Sequence, residues 1–411
     1  MAISERRELV ADEELVMSRE ADDPEKTLLL LCARAHLDER AVSRMIALLE
    51  QPIDWERLTQ LAREHWVTQP LYWHLKNVAS EQVPPPVLEQ LRNEFEGNLR
   101  RNLFLVGELR RILLLFKAKN IQALPFKGPT LAQDAYGNIA LRAFSDIDVL
   151  IRKEDFLRVV ELLSSIGYES LRSSVVQRRL EVLSRCESEF IDTSGAALVD
   201  VHWGIAESEA LSTLDFPYLM KNTTSSSVLG LEVPVLSPED SLLFCCVHGS
   251  NHLWYYLQGV GDVAEIIRVN ARLDWGRIVE QADRLRIDRM LFVGLLLAHD
   301  LLDAAVPDYI LERARGDKSV CSIAKETEKD MFKQQRSEPQ ALDMLSLLRI
   351  RRSWRDKLRE LLRFGFVPTL PDYEALRLPP RFFTLYYVLH LARISIAYGP
   401  ALITRAHRNS R

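Results

Sequence analysis

The sequence predicts an α+β protein in which a small unit of strands and helices sits between two helical regions. Three observations predict it. Residues 27–77 carry apolar side chains at three- and four-residue spacing. From Asn120 to Trp203, short β-branched runs alternate with amphipathic stretches and glycine-marked turns. After the segment VLGLEVPVLSPED the helical spacing returns and persists.

Taken in order, residues 1–26 are charged and polar and read as a mobile acidic arm. Residues 27–119 form the first helical region, with LLLLCARA, AVSRMIALLE and WERLTQLAREHWV as its opening segments. Three prolines break the pattern, and Pro86 suits the first position of a helix. A long helix is predicted from Val87 to Lys119, with Leu91, Leu99, Val106, Leu109 and Phe116 among its apolar positions. Residues 120–220 form the mixed unit. IQALPF is a strand entering a turn, PTLAQDAYG a short helix ended by Gly137, and FSDIDVLI a strand. KEDFLRVVELLSSIGY is an amphipathic helix that Gly167 terminates, and SEFID with ALVDVHW is a hairpin turning at Ser194 and Gly195. Residues 221–411 form the second helical region, which includes SLLFCCVHGSNH, GVGDVAEIIRV and DRMLFVGLLLAHDLL.

Composition narrows the class. The chain has 411 residues, 47% hydrophobic and 27% charged, with a net charge of −5. That is enough apolar material for two or three domains, and it lacks the basic excess of a nucleic-acid binder. The five cysteines are odd in number, two are adjacent, and none forms a C-x-x-C pair. They read as buried small hydrophobes in a reducing cytosol, not as a disulfide framework or zinc site. The charged N-terminus has no apolar signal core, and the longest apolar runs, TLLLLCA and MLFVGLLLA, are too short to span a bilayer. A cytoplasmic protein is expected.

The chemistry concentrates in Ser145-Asp146-Ile147-Asp148-Val149-Leu150-Ile151. Alternation along a strand puts Asp146 and Asp148 on one face and Ile147, Val149 and Ile151 on the other. Two adjacent carboxylates repel, and a cation between them removes the conflict; Mg²⁺ takes such oxygen ligands. Taken alone, the pair also reads as the solvated side of an edge strand. Upstream, Lys127-Gly128-Pro129-Thr130 stands at a strand–turn–helix junction, where backbone N–H groups favour an anion. Lys127 adds charge, Gly128 allows close approach, and Thr130 offers a hydroxyl; the plain alternative is an ordinary turn. Arg142 is placed to reach a phosphate, or else is a surface arginine. Downstream, Asp200 lies between valines in a strand and would complete a three-carboxylate cluster, with His202 on the same face as a candidate to bind acceptor or phosphate on the substrate side. Three carboxylates suit two Mg²⁺ ions and a nucleoside triphosphate as co-substrate.

KGPTLAQDAYGNIALRAFSDIDVLI, followed by LVDVHW, resembles the DNA polymerase β-like nucleotidyltransferase superfamily, and more narrowly its bacterial uncharacterised nucleotidyltransferase family. IDWERLTQLAREHWVTQPLYWHL and HGSNHLWYYLQGVGDVAEII fit the narrower family, so the resemblance runs from about residue 27 to 310. It implies a polymerase β-like core in which Asp146 and Asp148 bind metal, Asp200 is the third carboxylate, and Gly128 lies in the phosphate-facing turn. The superfamily usually has Gly-Ser or Gly-Gly-Ser at that turn. The implied reaction passes a nucleoside monophosphate from an NTP to a small or medium acceptor. An inactive nucleotide-binding or regulatory copy and an RNA- or protein-modifying enzyme are the alternatives.

His248 and His252 stand at i and i+4, a spacing that can chelate zinc, but no third ligand of matching kind is evident. With Asp262 they are candidates for the acceptor side of a cleft. Trp254, Tyr255 and Tyr256 serve either a base or the core. RIRRSWRDKLRELLR is a basic amphipathic helix able to meet nucleic acid or an anionic membrane; its interleaved Asp356 and Glu360 favour a solvated face.

Overall fold

The computed structural model describes residues 23–172, 174–204, 216–228, 230–333 and 348–396. Most of the expected acidic arm, residues 1–22, lies outside them. Helices α1 (Pro24–Cys32), α2 (Glu39–Leu49), α3 (Trp55–Glu64) and α4 (Thr68–Val78) open the fold. Each of the first three starts at an aspartate, Asp23, Asp38 and Asp54, whose carboxylate accepts a bond from a free N–H of the first turn. The long helix, α5, runs from Pro85 to Ala118, so Pro85 rather than Pro86 takes the first helical position.

Strands β1 (Ala123–Phe126), β2 (Asp146–Ile151), β3 (Tyr168–Ser170), β4 (Glu187–Asp192) and β5 (Leu198–His202) form one sheet in the order β1-β2-β5-β4-β3. β2 and β5 are parallel; the other pairs are antiparallel. Helices α6 (Gly128–Asp134), α7 (Phe156–Ser165) and α8 (Val175–Ser184) lie between the strands in sequence. The β4–β5 turn is as predicted, with Gly195 at φ +75° and the Asp192 carboxylate accepting from Ser194 N and Ala197 N.

The sheet has two dissimilar faces. Ile147, Val149, Ile151, Phe190, Val199 and Val201 pack with α5 and α7 in a closed apolar layer. The opposite face carries Leu124, Phe126 and Leu150, which join the larger core of the helical regions. That core contains α10 (Pro238–Asn251), α11 (Leu257–Val269), α12 (Trp275–Leu285), α13 (Asp288–Leu302), α14 (Asp308–Arg315) and α15 (Lys318–Met331), which follow the short α9 (Phe216–Lys221). Between α9 and α10 the chain forms a hairpin, β6 (Thr224–Val228) and β7 (Leu231–Val235). Sequence periodicity did not mark it, although Val233 and Val235 belong to the same apolar layer as β2. Further along come α16 (Trp354–Phe366) and α17 (Leu370–Ala375).

Candidate active site

Asp146 and Asp148 open β2, and the parallel register sets Asp148 directly opposite Asp200 on β5. Two register steps on, His202 lies opposite Leu150. On the other side of β5, Glu189 lies opposite Asp200 and Glu187 opposite His202. Six polar residues thus share the face that the apolar layer does not use. The two glutamates were not anticipated. Their signal was present, since Glu187 and Glu189 alternate on a strand hairpinned to the Asp200 strand.

The buried Asp148 carboxylate is held from two sides. Its Oδ1 accepts from Lys127 Nζ at 3.2 Å and lies 3.0 Å from His202 Nε2. The other imidazole nitrogen, Nδ1, lies 3.3 Å from Glu187 Oε2. Burial pushes the Asp148 carboxyl up, but Lys127 and His202 outweigh it and hold it at about 2. At Asp146 the charges of Lys127, Arg142 and His202 are outweighed. Burial, then the Asp148 charge, pushes Asp146 up to about 6. Burial, then Asp148, Asp146 and the two glutamates, pushes Asp200 up to about 8. The Oδ1 atom of Asp200 is buried and has no hydrogen-bond partner. Among the described residues, one group of acids and histidines can converge on a metal ion: Asp148, Asp200 and His202, with ligand atoms within 4.8 Å of one another. An orphaned carboxylate oxygen among repelling acids fits a divalent cation. Asp146 stands beside this group and is coupled to it by charge, while His202, expected on the substrate side, sits inside it.

Lys127 reaches the carboxylates from a left-handed conformation, φ +53°. Its ammonium also lies 5.6 Å from the Phe126 ring and 5.1 Å from that of Phe244. Gly128, at φ +30°, is where β1 turns into α6; a Cβ there would sit 3.3 Å from the Asp146 carbonyl. Thr130 donates its hydroxyl to the Lys127 carbonyl at 2.9 Å, an internal brace of the turn.

Arg142 and Asp262 occupy different positions from those expected. Arg142 was expected at a phosphate and Asp262 in the cleft, yet they pair with each other, Nε to Oδ1 at 2.7 Å and Nη2 to Oδ2 at 2.8 Å. Tyr136 donates to the same Oδ1 at 2.9 Å. Such a planar two-point pair, buried on both sides, satisfies the aspartate fully and leaves little of it for a ligand. His248 and His252 do lie on the carboxylate side. A chain of ring contacts runs from His202 through Phe126 and Phe244 to His248 and His252, with centroids 4.9, 5.0, 5.9 and 4.4 Å apart. Burial, with Lys127 nearby, holds His248 well below the usual imidazole range. Trp254 is buried and serves the core, not a base. A pocket of about 260 Å³ is lined by Lys127 together with Phe126, Thr130, Ser225, Ser241 and Asn270 among others; none of the clustered acids lines it.

Residues 51–303 match the family described as uncharacterised nucleotidyltransferase, well over half the chain. The chain belongs to that family. The nucleotidyltransferase match takes in both acid-bearing strands and the helices over them. No curated protein matches the sequence. Among solved structures, ANT(2")-Ia in complex with adenylyl-2"-tobramycin is 13% identical, with 44% of this chain and 96% of that chain covered and a TM-score of 0.32. Lincomycin-bound LnuA, a lincosamide antibiotic adenylyltransferase, is 19% identical over 40% and 96%, TM-score 0.28. An antigenic nucleotidyltransferase-like protein from Paracoccidioides brasiliensis is 15% identical over 50% and 93%, TM-score 0.33.

Proposed function

We propose that this nucleotidyltransferase moves a nucleoside monophosphate from an NTP to a hydroxyl or phosphate of a small or medium acceptor, releasing pyrophosphate. The orphaned Asp200 carboxylate facing Asp148 carries the reading, because bound cations would relieve the repulsion among three carboxylates on one face of a strand pair. Asp146, Asp148 and Asp200 would hold two Mg²⁺ ions, with His202 orienting Asp148 and able to act as a further ligand. Bound there, the ions would lower the pKa of the attacking hydroxyl and offset charge on the leaving pyrophosphate.

The chain's own groups supply the rest. Lys127 carries a positive charge at the carboxylates and can swing to a triphosphate oxygen once a cation replaces it beside Asp148. Gly128 keeps the turn close to β2, and Thr130 braces it. Arg142, through Asp262, fixes the approach to β2 instead of gripping phosphate. In this reading residues 120–220 supply the metal and triphosphate sites, while helices of residues 221–411, with His248 and His252, wall the acceptor side. A reducing, cytoplasmic setting belongs to the same reading, since the five cysteines are odd in number and form no C-x-x-C pair.

The test is calorimetric binding of each NTP with and without Mg²⁺, followed by a pyrophosphate-release screen over acceptors. Mg²⁺-dependent binding that Asp200→Asn removes is expected. Undiminished Mg²⁺-dependent binding in both Asp148→Asn and Asp200→Asn would defeat the assignment.

A further inference from the structure

The pocket of about 260 Å³ has a polarity of its own. One wall is a single side of α6. Lys127, Thr130, Leu131, Asp134 and Ala135 all line it, at steps of three, one, three and one residues, the period of one helix face. The lysine at one end and the aspartate at the other lie about 10 Å apart along the helix. The rest of the lining is largely apolar and includes Val235, Leu236, Phe244 and Ile266. Strands β6 and β7 and helices α10 and α11 supply or border these walls, so the pocket lies where the acid-bearing unit meets the second helical region.

The two charged ends differ in what holds them. Lys127 is neutralised, because its ammonium donates to Asp148. Asp134 accepts from the Ser226 hydroxyl at 2.5 Å, and among the described residues no cation pairs with it. The residue is exposed, yet desolvation of its carboxyl outweighs the Ser226 bond and raises it above the usual carboxylate range. It is also the last residue of α6, at the negative end of the helix, where a carboxylate is disfavoured. A second negative end borders the same pocket. Asn270 follows the last residue of α11 and lines the pocket; its Nδ2 donates to the Ile266 carbonyl at 2.8 Å, which leaves its Oδ1 to accept. One uncompensated carboxylate, one amide oxygen and two helix C-termini make an end suited to positive charge.

We propose that this pocket binds a small organic amine as its ammonium, with the charged nitrogen at Asp134 and Asn270 and an apolar ring or chain along the α6 face. An anion would meet the Asp134 charge and find Lys127 already paired. A wholly apolar ligand would bury the carboxylate without a partner. A metal ion is poorly served, since Asp134 is the one carboxylate in the lining. A neutral donor, such as the edge of a nucleobase, would answer the hydrogen bonds but not the helix ends. Because a cavity of about 150 Å³ holds benzene, the present one has room for roughly ten non-hydrogen atoms. Such a ligand needs neither metal nor NTP, so the site stands whether or not the acids act as proposed. Once bound, it lies against Lys127, the side chain that holds Asp148.

The experiment is calorimetric titration of the metal-free full chain with tyramine, with phenethylamine, with 3-(4-hydroxyphenyl)propionate, which carries a carboxylate in place of the ammonium, and with guanosine. Both amines should bind, and the carboxylate should bind about tenfold more weakly or not at all. Methyl NMR should show the Leu131 and Ile266 resonances shifting with the amines. Asp134→Asn should weaken amine binding about fivefold or more without lowering Tm, because asparagine keeps the volume and an oxygen for Ser226. Ser241→Phe, which fills the pocket from α10, should abolish binding while the circular dichroism stays unchanged. The proposal fails if neither amine binds, if the carboxylate binds as tightly as tyramine, or if Asp134→Asn binds the amines like the parent. Guanosine binding that shifts the same methyl groups, with no amine binding, would overturn it in favour of a nucleoside pocket.

Discussion

Asp200 is the residue on which the site turns, because its environment changes sign when a cation arrives. Without metal, its carboxyl stays protonated up to about pH 8, and that of Asp146 up to about pH 6. The native chain then holds protons that the unfolded chain releases near pH 4. Stability from these two groups is full below that value and falls as pH rises through the folded pKa values. Asp148 runs the other way; its contribution is present at neutral pH and is lost only as pH falls toward about 2. The metal-free Tm should therefore decline between about pH 5 and about pH 8, and Asp200→Asn should flatten the decline. Differential scanning calorimetry in a chelating buffer measures this. The Tm gain from Mg²⁺ should grow over the same range, because ligation displaces those protons; a gain independent of pH would count against Asp200 as a ligand. Asp148→Asn should cost at least about 100-fold in pyrophosphate release and leave the circular dichroism unchanged.

At the scale of elements, the acid-bearing strands were legible because alternation is a local property. Asp146 and Asp148 share a face by spacing alone, and the Ser194-Gly195 turn fixes how Asp200 returns beside Glu189. What spacing does not encode is pairing between distant segments. The parallel match of Asp148 with Asp200 and the ion pair that occupies Arg142 depend on partners remote in sequence. The β6–β7 hairpin is local, but the serines of β6 mask its alternation. The helix α16 was read correctly as amphipathic, but periodicity carries no information on which side faces the protein. The α10–α13 contact yields a prediction of its own. A Cβ on Gly249 would meet the Trp254 ring at 2.4 Å, and one on Gly294 would meet Cys246 Sγ at 2.7 Å and the same ring at 2.8 Å. With Trp254 enclosed, neither neighbour can yield cheaply. Gly249→Ala and Gly294→Ala should each cost about 1–3 kcal/mol, read as a shifted urea midpoint with an unchanged m-value.

Across the whole molecule, a buried lock ties the segment leading into the acid-bearing strand to the helices over it. Arg142 and Tyr136 close on Asp262 of α11, and the Gln258 amide pairs with both backbone groups of Ala143, accepting at 3.2 Å and donating at 3.1 Å. Removing one charge strands the other in the interior. Arg142→Met or Asp262→Asn alone should cost about 3–5 kcal/mol in equilibrium unfolding, whereas Arg142→Met with Asp262→Leu should recover most of that loss. If the singles and the double were equally destabilised, the pair would not be that lock. The β2–β5 ladder has a different implication, and it concerns time. Asp148 and Asp200 ride on neighbouring hydrogen-bonded strands in parallel register, with Val149 opposite Val201. They cannot part without breaking the centre of the sheet, an opening as rare as global unfolding. Any rearrangement during a turnover cycle must therefore be carried by the groups around that pair: the Lys127 side chain, the β1–α6 turn, and the side chains of His248 and His252. Hydrogen exchange should find the amides of β2 and β5 among the slowest in the chain with or without ligand. A ligand-dependent change, where one occurs, should be confined to those mobile neighbours.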